Sequence, residues 1–149
     1  MIKIRVAGIA DKETISGFQL AMAKETENIS LDVDTVTNGV AKIFNDESTG
    51  KYFIAEIDNK IVASMLTLYE WSDWRNGQVI WIHSVYVLPQ FRKEGVFKAM
   101  YAHLKTIVEQ NANYKGLRLF VDKTNTTARK VYEALGMNGE HYALYEWMK

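Results

Sequence analysis

The run Gln78–Pro89, QVIWIHSVYVLP, constrains this chain more than any other segment. Strict alternation sorts it into two faces, Ile80, Ile82 and Tyr86 on one and Val79, Trp81, Val85 and Val87 on the other, and both are apolar. A strand that is apolar on both faces is covered on both, so it belongs in the middle of a sheet with layers packed above and below. It ends at Pro89, the only proline, and QFRKEGVFKAM follows directly, where helical spacing begins. At 149 residues the chain is expected to be a single domain, 1–149, with one core. Hydrophobic residues make up 48% and charged residues 24%, an ordinary globular balance. The absence of cysteine excludes disulfides, thiolate nucleophiles and cysteine-ligated metals. A formal net charge of zero argues against a nucleic-acid partner, which selects for a basic face. The three histidines show no metal-ligand spacing, so no metal is expected.

Around the central strand the remaining elements fall in order. Ile2 to Val6 alternates as a short first strand. Asp11 is a candidate N-cap for a helix through about Thr26, with Ile15, Phe18 and Met22 facing inward. Asp32 or Asp34 starts a second helix with Val36, Val40, Ile43 and Phe44 at helical spacing, and NDESTG closes it. KYFIAEID and KIVASMLTLYE read as a hairpin about Asp58-Asn59, two residues that tolerate positive φ. WSDWRNG is a polar, aromatic turn before the long apolar strand. A helix from about Gly95 to Asn111 packs Val96, Met100, Leu104, Ile107 and Val108. GLRLFVD is a further strand, and NTTARKVYEALG a helix that Asn125 caps and Gly136 stops. HYALYEWMK alternates as a last strand. The order β-α-α-β-β-β-α-β-α-β gives an α/β domain on a mixed sheet. The N-terminus has no apolar segment with a cleavage site and no run nears 18 apolar residues, so the expectation is a cytoplasmic protein that spans no membrane.

Two short segments carry chemistry. A helix that starts just after Arg92 leaves its first N–H groups without intrahelical partners, and with the macrodipole these attract an anion. Gly95 allows close approach to the backbone, and Arg92, Lys93 and Lys98 add positive charge. The same residues also suit a solvated turn, and Arg-x-x-Gly alone does not decide between the two. The P-loop and Rossmann glycine patterns are both absent. In the second segment Asn125, Ala128 and Tyr132 lie at i, i+3 and i+7 on one helix face, which suits a bound chain running from an amide to a phenol. It equally suits a helix cap and a packed tyrosine.

Taken together and in order, VYVLPQFRKEGVFKAM and NTTARKVYEALGM resemble the GNAT N-acetyltransferase superfamily. The first is similar to its acetyl-CoA signature, Arg/Gln-x-x-Gly-x-Gly/Ala after a strand ending in a proline turn. The second is similar to its Asn-x-x-Ala-x-x-x-Tyr-x-x-x-Gly-Phe segment, with Met137 for Phe. Element order and length extend the resemblance over nearly the whole chain. Phe97 departs from it, standing where the pattern has a small residue.

The resemblance implies a mostly antiparallel central sheet, flanked by helices and splayed at its central strands, with acetyl-CoA as acyl donor. It implies that the backbone of Val85, Tyr86 and Val87 pairs with the pantetheine arm like an added strand. The diphosphate would sit on the loop Arg92, Lys93, Glu94, Gly95, Val96, Phe97 and Lys98. Asn125 and Arg129 would serve the cofactor, and Tyr132 would protonate the departing thiolate. The N–H of Val87 would polarise the acetyl oxygen. The acceptor would be a primary amine of a small molecule or peptide, attacking the thioester directly. Candidates for the base are His83, Glu70, Asp73, Glu25 and Glu27. By alternation His83 shares a face with Val85 and Val87; a packed core imidazole fits the same position. Trp71 and Trp74, with Asp73, Glu25 and Glu27, are candidates for the acceptor side. The departure at Phe97 keeps a second reading open, a non-catalytic acyl-CoA-binding or sensor domain. The aromatic C-terminal run YALYEWM suits pairing across a homodimer.

Overall fold

The computed structural model describes residues 1–149 and divides into two compact units, Met1–Leu119 and Phe120–Lys149. The first unit carries a five-stranded sheet in sequence order: β1 (Lys3–Val6), β2 (Gly50–Ile57), β3 (Lys60–Ser72), β4 (Gly77–Val87) and β5 (Tyr114–Leu119). β1 to β4 are antiparallel neighbours and β5 runs parallel to β4. Three helices belong to this unit: α1 (Lys12–Glu27), α2 (Val33–Asn45) and α3 (Val96–Gln110). The mixed, mostly antiparallel sheet with β4 inside it is the architecture expected from the sequence.

Local chemistry explains the boundaries. Asp58 and Asn59 take φ of 50° and 62° between β2 and β3, the left-handed pair of a tight hairpin. Asp32 caps α2 by accepting from the Thr35 N–H at 2.8 Å. Asp11 stands at the start of α1 but caps differently from the expectation. Its carboxylate accepts from the Gly8 N–H at 2.8 Å and takes the Arg5 guanidinium at 2.8 and 3.1 Å, and no helix N–H. Arg5 also donates to Glu56 at 2.7 and 3.0 Å, so β1, β2 and the turn into α1 are tied at one point.

Packing fills both faces. On one, Ala7, Ile15, Val40, Ile43, Tyr52 and Ile54 are buried together, with Val36, Phe44, Ile61, Leu66 and Leu68 against them, so α1 and α2 cover this side. On the other lies α3, with Met100 and Leu104 buried and His103 against the Phe53 ring at 5.8 Å. Burying apolar side chains of this size is worth roughly 1.5–3 kcal/mol each, which makes these two layers the main source of stability. No helix is long and apolar enough to cross a membrane.

The second unit holds α4 (Thr126–Ala134). Asn125 Oδ1 accepts from the Ala128 N–H at 3.0 Å, capping it. At its far end Gly136 takes φ of 86°, and Met137 N–H and Gly136 N–H donate to Tyr132 and Glu133 carbonyls at 3.1 and 3.0 Å, a Schellman ending. The strand expected at HYALYEWMK does not form: residues 138–149 enter no ladder. Alternation describes what a strand would show, but a strand needs a hydrogen-bonding neighbour.

Candidate active site

The end of β4 sets the geometry. The β4–β5 ladder stops at Ile82 opposite Leu119, while β4 continues to Val87 beside β3. The sheet is therefore splayed along the last residues of β4, on the side where β5 pairs with its first half. An extended ligand arm can pair with such a strand edge. Within this stretch Ser84 takes φ of 49°. The β3–β4 register passes from Leu66 opposite His83 to Ser64 opposite Tyr86, so β4 carries one extra residue. That is a β-bulge, and one extra residue exchanges the faces of everything beyond it.

The bulge corrects the facing read from alternation. Directly paired residues share a face. His83 lies with Leu66, Leu68, Trp81, Ser64 and Tyr86, on the α1 side, where the Tyr86 ring packs 5.2 Å from Phe18. Val87 lies with Ala63, Thr67 and Ile82, on the α3 side. His83 and Val87 thus face opposite ways, not the same way.

After β4 the chain makes a 3-10 turn at Pro89–Phe91, then passes Lys93 at φ 66° and Gly95 at φ 79° before α3 begins at Val96. Gly95 is the N-cap and contributes no side-chain bond to the helix start. A Cβ built on it would meet nothing within 4 Å, so the space beside Gly95 itself is open. An anion fits there against N–H groups and the positive end of the helix dipole. Lys93, Glu94 and Lys98 are exposed around it and Val96 is buried. The Phe97 ring lies 6.4 Å from Tyr101, one turn further along α3.

Arg92 is engaged by protein groups on two sides. Its N–H already donates to the Pro89 carbonyl at 3.3 Å. Its guanidinium turns back to β4 and α1, donating from Nε to the Val87 carbonyl at 2.9 Å and from Nη2 to Glu25 Oε2 at 2.9 Å, with a second bond from Nη1 to Oε1. The arginine holds the Glu25 carboxyl below its ordinary range, so Glu25 is an ion-paired carboxylate at neutral pH. Glu27, the last residue of α1, is exposed.

On the α1 side of the sheet, β3, β4 and β5 bring together Glu70, Trp81, His83 and Arg118. Arg118 Nη1 donates to Glu70 Oε1 at 2.7 Å, and its guanidinium carbon lies 5.9 Å from the Trp81 ring centre. Trp81 and His83 ring centres are 6.1 Å apart. Burial holds the His83 pKa below its ordinary 6.5, so the imidazole is neutral at pH 7 and able to accept a proton. Trp81 as a site residue and Arg118 were not singled out from the sequence; Arg118 lies 48 residues from its partner, beyond any local signal. Trp71 pairs with Gln78 and so faces the opposite way from Glu70. Asp73 and Trp74 lie at the β3–β4 turn, where Asp73 Oδ1 accepts from the Trp74 N–H at 3.0 Å, and the Trp74 ring is 90% exposed.

In the second unit Asn125 spends its carbonyl oxygen on the cap of α4. Arg129 and Tyr132 follow on that helix. Burial raises the Tyr132 pKa above its ordinary 10, so its phenol stays protonated at neutral pH.

Comparison with known proteins fits this geometry. The family model for the acetyltransferase (GNAT) family matches residues 19–137. An uncharacterized N-acetyltransferase of Archaeoglobus fulgidus is 37% identical over 81 residues, 53% of this chain and 54% of the relative, so the match spans about half of that protein's length. A possible acetyltransferase from Clostridium difficile 630 superposes with a TM-score of 0.92 at 42% identity, over 100% of this chain and 98% of that one. The fold is shared with an aminoglycoside N-acetyltransferase in complex with CoA, at a TM-score of 0.80 and 19% identity, over 100% of this chain and 95% of that one. With a family match across well over half its length, this chain belongs to the GNAT acetyltransferase family.

Proposed function

We propose that this chain is an N-acetyltransferase that moves the acetyl group of acetyl-CoA to a primary amine of a small molecule or peptide. The observation that carries the reading is the start of α3: a left-handed glycine N-cap with open space beside it, directly after a β4 end that lies beyond the β5 ladder. On this reading the N–H groups from Glu94 to Lys98 hold the diphosphate, and the β4 end receives the pantetheine arm. Asn125, Arg129 and Tyr132 serve the cofactor from α4. The family match runs from residue 19 to 137, across both compact units, which supports one functional domain over the chain.

Acetyl-CoA supplies the activated thioester. The amine nitrogen bonds to its carbonyl carbon, the carbon–sulfur bond breaks, and the sulfur leaves with a proton. The chain has to remove a proton from the amine and supply one to the sulfur. Burial keeps the Tyr132 phenol protonated, as an acid requires, and keeps His83 neutral, as a base requires. Of the carboxylates weighed against His83, Glu25 and Glu70 are engaged by arginine. Pairing with Arg92 lowers the basicity of Glu25, and Arg118 occupies a Glu70 oxygen, which favours the imidazole or a water chain.

The test is a screen of amines for release of free CoA from acetyl-CoA, with calorimetry of CoA binding alongside. Turnover with any amine class supports the proposal and names the acceptor. CoA binding without turnover on any amine favours a non-catalytic acyl-CoA-binding domain, and no CoA binding refutes both readings.

A further inference from the structure

The guanidinium of Arg92 joins three elements at the point where the acyl group would be presented. It holds the Val87 carbonyl through Nε at 2.9 Å and both Glu25 oxygens through Nη1 and Nη2. Its carbon lies 5.5 Å from the centre of the Tyr86 ring, which packs on Phe18 of α1. Next to this joint the Leu88 N–H donates to the Val62 carbonyl at 2.9 Å, the last hydrogen bond before the chain turns towards the cradle. The β4–β5 ladder has already ended at Ile82, so β5 does not pair with this stretch of β4.

We propose that Arg92 and Glu25 act together as a positioning pair that fixes the end of β4. On this view the Arg92 side chain serves the acyl-donor site through Val87 and is not a phosphate ligand. Glu25 is neither base nor acceptor contact; it holds the guanidinium against the strand. The inference rests on the acetyl-CoA reading for what the strand end presents, and on geometry alone for the pair itself. Only arginine suits the position. Its rigid fork satisfies a carbonyl and a carboxylate at once, whereas a lysine ammonium is a point charge that cannot span both.

A phosphate-ligand role and a positioning role predict opposite results. If Arg92 served the diphosphate, Glu25 would compete for it, so Glu25→Gln would tighten CoA binding, and Arg92→Lys would keep the needed charge. If the pair positions β4, both variants loosen the strand end, and CoA binding weakens modestly through the pantetheine contact and in neither variant tightens. The experiment compares wild type, Glu25→Gln and Arg92→Lys by amide hydrogen exchange at Leu88, by calorimetry with CoA, and by turnover on an amine found in the screen. The pair is exposed, so both variants fold, and thermal melts check that they do. The expected result is Leu88 exchange faster by about two- to fivefold in both variants, the scale of an exposed ion pair, with kcat lowered and the CoA dissociation constant raised by no more than the same factor. Wild-type exchange and turnover in Arg92→Lys, or tighter CoA binding in Glu25→Gln, would overturn the proposal. Failure of the wild type to bind CoA would refute the acetyl-CoA reading, and the exchange comparison would still decide whether the pair holds the strand.

Discussion

Replacing Gly95 by alanine isolates the conformational requirement at the cradle. The residue sits at φ 79° and ψ 13°, where an L-side chain is disfavoured by roughly 1–2 kcal/mol. A Cβ would meet nothing within 4 Å, so no collision adds to that cost. If the loop keeps its shape, the strain appears as lost stability. For a chain of this length each kcal/mol shifts Tm by about 2–4 °C, so Gly95→Ala lowers Tm by roughly 2–8 °C. If the loop relaxes instead, the N–H groups at the start of α3 are re-aimed, and about 1 kcal/mol of lost binding weakens CoA roughly fivefold. Asparagine tolerates the left-handed region better than alanine, so Gly95→Asn recovers much of either loss. Calorimetry with CoA and thermal melts on the three proteins read both effects. Alanine indistinguishable from wild type in stability and CoA affinity would refute the argument that backbone conformation shapes the cradle. Asparagine as damaging as alanine would show that the requirement is not conformational.

Three further outcomes follow from named groups. Tyr132→Phe is expected to lower kcat by about 10²-fold while leaving CoA affinity unchanged by calorimetry; unchanged turnover removes the phenol from the acid role. His83 has a native pKa below its unfolded value, so the unfolded chain takes up the proton first, and stability falls as pH drops through 6.5 towards the native value. Urea melts between about pH 7 and 5 should therefore show a shallower acid loss in His83→Gln than in wild type, and an equal slope would contradict the assignment. Ile54 is fully buried between the α1–α2 layer and the sheet, so Ile54→Ala should destabilise by about 2–5 kcal/mol in chemical denaturation, whereas a loss below 1 kcal/mol would mean that this layer repacks freely.

What could be read from the sequence was set by short-range chemistry. The hairpin at Asp58-Asn59, the Asp32 cap, the Asn125 cap and the Gly136 stop each depend on a few neighbouring residues, and each forms as expected. β4 was legible because both its faces are apolar. Its bulge was not, because Ser84 carries no glycine or proline to announce a positive φ. That one residue was enough to place His83 and Val87 on opposite faces. The Arg92–Glu25 and Arg118–Glu70 pairs span 67 and 48 residues, and only the folded sheet brings them together. The last strand was misread for the opposite reason. HYALYEWMK has the right pattern, but alternation alone does not supply a hydrogen-bonding neighbour, and residues 138–149 pair with none.

Amide chemical shifts recorded during titration with CoA test the central claim most directly, since they report on each N–H separately. The account predicts saturable shifts concentrated at Glu94, Gly95, Val96, Phe97 and Lys98, with Arg92 moving less because its N–H is already bonded to Pro89. Saturable CoA binding that leaves the amides at the start of α3 unmoved would contradict it.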